Sequence, residues 1–196
     1  MAPPSSLSLQ PKTASQMADT KRSSTTQQHR ILLMAIDILR ILAIVLTATS
    51  IAVTVTNHQT VFIFGLRLEA HYYYSPSFKF FVAANGVVCA MSLLTLIINL
   101  VLRKQASERK HYYFFLFLHD MVMTVLLIAG CAAVTAIGYV GQFGEEHVGW
   151  QPICDHVHKF CRTNLVSILL SYFAFCAYFG LTILSAYKCI SFSSNN

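Results

Sequence analysis

ILLMAIDILRILAIVLTATSIAVTV, residues 31–55, is predominantly apolar and uncharged along its whole length except at Asp37 and Arg40. A helix of about 20 predominantly apolar residues crosses the hydrocarbon core of a bilayer, so this stretch reads as a membrane span that carries two charges. Three more stretches of the same kind follow. Residues 80–102 and 165–187 hold no charge, and 112–138 has His119 and Asp120 as its strongly polar pair. Gly86, Gly130 and Gly180 lie within these stretches and no proline does, so each can run as an unbroken helix.

Composition gives the same class. Of 196 residues, 55% are hydrophobic and 11% charged, against about a quarter charged in a typical soluble domain. A soluble core of this size has no room for that much apolar surface. A disordered chain, a disulfide-dense secreted domain and a nucleic-acid binder are excluded as well: 14 Lys and Arg against 8 Asp and Glu make too sparse a surface to track phosphates. The predicted fold is an all-α integral membrane four-helix bundle. A Ser-, Thr-, Gln- and Pro-rich tail over 1–29 is expected to be disordered, the membrane domain covers 30–190, and 191–196 form a short tail. The first tail has no apolar core of a secretory signal, so 31–55 is expected to act as an uncleaved signal.

The placement of Lys and Arg orients the bundle. The first tail, the link 103–111 and Lys188 hold nine of these residues, while the two longer loops hold Arg67, Lys79, Lys159 and Arg162. Both termini are therefore expected in the cytosol and both longer loops outside. The outer loops balance four bases with four acids, and the net charge of +6 comes from the cytosolic rim, where it can meet anionic lipid.

The spans contain three ionisable charges, Asp37, Arg40 and Asp120. A charge near the bilayer centre costs at least ~2.5 kcal/mol, so such groups face protein or water and pair. Arg40 lies ten residues beyond Arg30 and Asp120 ten beyond Lys110, which puts both about 15 Å deep. Equal depth on helices 1 and 3 points to an Arg40–Asp120 ion pair, with Asp37 as an i,i+3 partner on the face of Arg40. The alternative is local: Asp37 neutralises Arg40 within helix 1, or Arg40 snorkels to the cytosol. His119, next to Asp120, is read as a packing or interfacial histidine on another face. Small residues spaced by four (Ala48–Ala52, Gly86–Ala90, Ala129–Ala133, Ser167–Ser171) suit close helix packing.

Outside the membrane, Cys154 and Cys161 share the second loop, where oxidising conditions favour a disulfide. The competing reading is a metal held with His147, His156 and His158, although the spacing matches no closed zinc motif. Cys89, Cys131 and Cys176 are small apolar residues within the spans, and Cys189 at the cytosolic end of helix 4 is a candidate for S-palmitoylation. In the first loop, residues 66–70 alternate as a short strand does, Tyr72, Tyr73 and Tyr74 read as an interfacial aromatic belt, and Trp150 has a similar place in the second loop. No catalytic constellation is visible, and nothing asks for a cofactor or a resident metal.

Several of these motifs resemble the plant Casparian strip membrane protein-like (CASP-like) family, related in architecture to MARVEL-domain proteins. They are residues 37–43 (DILRILA), residues 74–85 (YSPSFKFFVAAN), Asp120, residues 136–141 (AIGYVG), and Trp150 followed by Ile153-Cys154 and Phe160-Cys161. The likeness runs from Arg30 to Ile190, and the first CASP-like subgroup fits best. It implies a multi-span plasma-membrane protein that lies in the lipid bilayer, self-associates and pairs with relatives as a scaffold. Arg40 and Asp120 match the family's paired intramembrane charges. In Casparian members such scaffolds organise secreted cell-wall modifying enzymes; the first loop here lacks the short stretch that marks those members, so the general scaffold role is what carries over. The rival class is a transport or channel subunit with Asp37, Arg40 and Asp120 along a path. A broken helix or a further polar stripe would favour it, and neither is read from the sequence.

Overall fold

The computed structural model describes residues 12–63, 66–102, 109–145, 147 and 149–194. Its elements are helix α1 (Lys12–Thr56), strands β1 (His58–Ile63) and β2 (Leu66–His71), a 3-10 turn at Tyr72–Tyr74, and helices α2 (Pro76–Leu102), α3 (Arg109–Phe143) and α4 (His158–Ser194). All four α-helices are long and apolar enough to cross a membrane, over Arg30–Thr56, Pro76–Val101, Phe114–Phe143 and His158–Ile190. Residues up to Ile36 form one unit, the first part of α1, and Asp37–Asn196 form a second, the bundle.

The helices overrun the stretches read from hydropathy, for local reasons. The tail over 1–29 was expected to be disordered, yet α1 is helical from Lys12. No Gly or Pro occurs between Lys12 and Arg30, Ala, Gln and Lys recur, and a segment continuous with an established helix avoids the cost of nucleation. The expected tail at 191–196 likewise begins as the last turn of α4, while 1–11, the link at 103–108 and residues 195–196 lie outside the described residues. Helix α2 begins at Pro76, where a fixed φ suits the first helical position. Extended Ser75 precedes it and accepts from the Lys79 amide at 3.2 Å. Helix α3 passes Gly138 and Gly141 and stops at Gly144, whose φ of 72° gives the left-handed turn that ends helices. A Cβ there would lie 2.5 Å from the Trp150 carbonyl oxygen, so both conformation and space require glycine.

The loop between α1 and α2 is an antiparallel hairpin. The strand read at 66–70 pairs with β1 in the register Val61↔Leu68 and Thr60↔Glu69. Its base is joined to α4 by two bonds: Asn57 Nδ2 donates to the Phe160 carbonyl at 2.9 Å, and the Phe160 amide donates to Gln59 Oε1 at 2.8 Å. Beside the hairpin, His58, His71 and Tyr73 stack in sequence with centroids 6.0 and 4.9 Å apart. Hydrogen bonding to Tyr74 holds the Tyr73 hydroxyl above the ordinary phenol range.

Within the bundle, α3 packs along both α4 and α2. Phe78, Phe81, Cys131, Val134 and Ile168 form an apolar cluster, with Tyr72, Val82 and Tyr172 packed against it. In hydrocarbon there is no hydrophobic drive between helices, so close packing and interhelical hydrogen bonds hold them. The small-residue pairs sort accordingly. Ser167 and Ser171 are buried, whereas Ala48, Ala52, Ala90 and Ala129 are exposed on the outer faces. The tight α2–α3 approach is at Gly130, where a Cβ would lie 3.2 Å from the Ala84 Cβ. Replacing Gly130 by Leu should therefore destabilise the bundle by about 1–3 kcal/mol, whereas Ala48→Leu should be tolerated. Unfolding temperatures of both variants in detergent check this, and equal behaviour of the two would show that α2 and α3 do not meet so closely.

Candidate functional site

Each helix buries one row of side chains at alternating spacings of three and four. On α1 the row is Arg40, Ala43, Thr47, Ser50 and Thr54, continued by Asn57 just past its end; on α4 its polar members are Asn164, Ser167, Ser171, Tyr178, Ser185 and Lys188. A seven-residue period is that of helices packed with a left-handed twist. What is unusual is the chemistry, because much of the buried row is polar. The reading that no further polar stripe accompanies the charges is thus corrected. The signal was present in the spacing of hydroxyl and amide residues, but against an apolar background it does not register as hydrophobic periodicity.

The centre of this interior is an ion pair. Arg40 Nη2 donates to Asp120 Oδ1 at 2.8 Å and to Oδ2 at 3.1 Å, and both side chains are 0% exposed. Ser185 Oγ on α4 donates to Asp120 Oδ2 at 2.9 Å. One carboxylate therefore joins α1, α3 and α4. His119, read as facing elsewhere, turns its ring back so that Nδ1 lies 3.3 Å from Asp120 Oδ1; a one-residue step rotates the Cβ vector by roughly 100°, but the imidazole is long enough to span it. Below the carboxylate, Thr124 Oγ1 donates to the Asp120 carbonyl at 2.8 Å and lies 3.0 Å from Thr182 Oγ1. Asp37 is half-buried one turn before Arg40. The Nε and Nη1 of Arg40 have no hydrogen-bond acceptor among the described residues, which match the guanidinium at one nitrogen of three.

Further along the bundle, neutral groups continue the pattern. Ser50 and Ser167 exchange side-chain to carbonyl bonds at 3.0 and 2.8 Å, and Thr54 Oγ1 lies 2.6 Å from Ser167 Oγ. Ser171 Oγ donates to Asn85 Oδ1 at 2.9 Å and accepts from Cys131 Sγ at 3.3 Å. Ser92 bonds the Tyr178 hydroxyl. Charge-to-charge and hydroxyl-to-hydroxyl bonds thus tie α1 to α3 and α4, and α2 to α4.

Between α3 and α4, Cys154 and Cys161 are joined in a disulfide with Cα atoms 5.8 Å apart, which occupies both thiols. His147 lies 3.2 Å from Glu145. No cluster of three His, Cys, Asp or Glu able to hold a metal occurs among the described residues. Cys189 is half-buried on α4.

Three outcomes are expected. Removing either charge by Arg40→Ala or Asp120→Ala leaves the other buried alone and should cost about 3–5 kcal/mol, read as loss of folded, monodisperse protein. Exchanging them (Arg40→Asp with Asp120→Arg) should recover part of the expression lost in the single charge reversals, and no recovery would overturn the pairing. On intact cells, a membrane-impermeant maleimide should label the protein after reduction and not before. Labelling without reduction would mean that Cys154 and Cys161 are free thiols outside.

Comparison with known proteins places this geometry. The Casparian strip membrane protein domain matches residues 29–177. CASP-like protein 1F2 of Ricinus communis is 49% identical over 165 residues, covering 83% of this chain and 81% of its own. CASP-like protein 1F1 of Vitis vinifera is 45% identical over 160 residues, covering 82% and 77%. CASP-like protein 1F1 of Arabidopsis thaliana is 36% identical over 148 residues, covering 76% and 85%. No solved structure matches the chain. The matched region contains Arg40, Asp120 and the Cys154–Cys161 loop, and the chain belongs to the CASP-like family of multi-span plant membrane proteins.

Proposed function

We propose that this protein is a non-catalytic scaffold of the plasma membrane, with both termini in the cytosol, which self-associates or pairs with related CASP-like chains. The observation that carries this reading is the division of small residues between inside and outside. Ala48 and Ala52 face outward at helical spacing, on a helix whose own interior is already closed by Ser50, Ser167 and the Arg40–Asp120 pair. Small outward faces let a second helix approach closely. Such an assembly is a platform on which secreted cell-wall modifying proteins can dock.

A transport subunit is the second reading, favoured by the buried polar row from Asn57 to Lys188. Against it, Thr47, Thr54, Ser92 and Thr124 return bonds to carbonyls four residues back, and Ser167 and Ser185 bond neighbouring helices. Groups satisfied in this way act as braces. Fluorescence recovery of the tagged protein in plant cells should show slow lateral exchange, with tagged and untagged copies co-purifying. Free diffusion without a co-purifying self-partner would overturn the scaffold, and solute flux through reconstituted vesicles would establish the transporter.

A further inference from the structure

The exposed side of α3 is one continuous ridge. At spacings of three and four it presents Phe115, Leu118, Val122 and Val125, then a run of alanines, then Tyr139 and Phe143. From Phe115 to Phe143 this is about 42 Å of helix. That length exceeds the ~30 Å hydrocarbon core and matches a bilayer with both headgroup layers included, ~40–45 Å. The outer end of the ridge therefore lies at headgroup depth. There Tyr139 and Phe143 are 63% and 62% exposed, with ring centroids 4.8 Å apart.

The second outer loop folds back onto this end. Gly144 turns the chain, the Glu145 and Trp150 backbones exchange bonds at 2.8 and 3.0 Å, and the amides of Ile153 and Cys154 both donate to the Gly141 carbonyl. The Cys154–Cys161 disulfide then closes the loop against the start of α4. A loop folded so tightly would bury its largest apolar side chains if it ended on itself. Instead Trp150 and Ile153 are 59% and 63% exposed, and their backbones are bonded within one turn of Tyr139 and Phe143. Indole and phenol rings concentrate where one end of the ring meets lipid and the other meets water.

We propose that the second outer loop is a bilayer anchor, in which the loop closed by Cys154–Cys161 sets Trp150 and Ile153 into the lipid headgroup layer beside Tyr139 and Phe143. The occupant of this surface is lipid, because backbone bonds hold exposed Trp150 and Ile153 next to the end of the lipid-facing ridge of α3. Anchoring fixes how far α3 and α4 rise out of the membrane and holds the disulfide at the surface.

Trp150 is the single tryptophan of the chain, so the full-length protein reports on its own loop. It is reconstituted into phosphatidylcholine vesicles with iodide on both sides. Lipids brominated high on the acyl chain should quench Trp150 at least about twofold more than lipids brominated near the chain end, and iodide should quench it less than about half as well as free tryptophan amide. Full quenching by iodide with no effect of either bromolipid would put the loop in water and overturn the proposal. Emission insensitive to both quenchers, with blue shift growing as the protein-to-lipid ratio rises, would put a second copy over Trp150 and overturn it equally.

Discussion

The bond between Arg40 and Asp120 is the constraint around which the rest of the bundle is arranged. In water such a pair contributes little, because each charge is well solvated alone. At the depth of α1 and α3 no solvent is available, and each charge is tolerable only while the other is in place. The pair also has direction. The guanidinium uses one nitrogen on both carboxylate oxygens, and Ser185 takes another position on the same carboxylate, so three helices share one azimuth and one height. His119, Thr124 and Thr182 add weaker bonds around it.

A membrane reverses the usual relation of inside to outside, and this chain uses the reversal throughout its length. Its lipid-facing surfaces carry Ile, Leu, Val and Phe, while hydroxyls and amides alternate with Ala, Val, Leu and Phe in the seven-residue rows inside. Alternatives are costly for such groups in hydrocarbon, so their bonds specify which helix faces meet. Outside the membrane the chain relies on other means: a hairpin whose base bonds to Phe160, a left-handed glycine, and a disulfide.

Much of this was legible in the residues. The four spans follow from length and apolarity, because a bilayer of fixed thickness imposes both. Helix ends were less legible, since the stops at Ser75-Pro76 and Gly144 lie beyond the apolar runs that mark the spans, and the helical start of α1 at Lys12 follows from continuity with its neighbour. Three intramembrane charges drew attention to helices 1 and 3. The part of Ser185 and the reach of His119 did not show, because serine and histidine are unremarkable in an apolar run until another helix supplies an acceptor. Ser50, Thr54 and Ser167 were hidden for the same reason.

The sequence by itself determined that this chain crosses a membrane four times, which stretches do so, and that any charge among them needs a partner, since each follows from the free energy of placing a residue in hydrocarbon. Only the tertiary structure decided which partner: that Asp120 receives both Arg40 and Ser185, that Ser167 and Ser171 face inward while Ala48 and Ala129 face outward, and that the Trp150 backbone is bonded beside the end of α3. Those facts depend on the rotation and height of one helix relative to another. Rotation and height are set by the sum of many interhelical contacts, and no single span contains that sum.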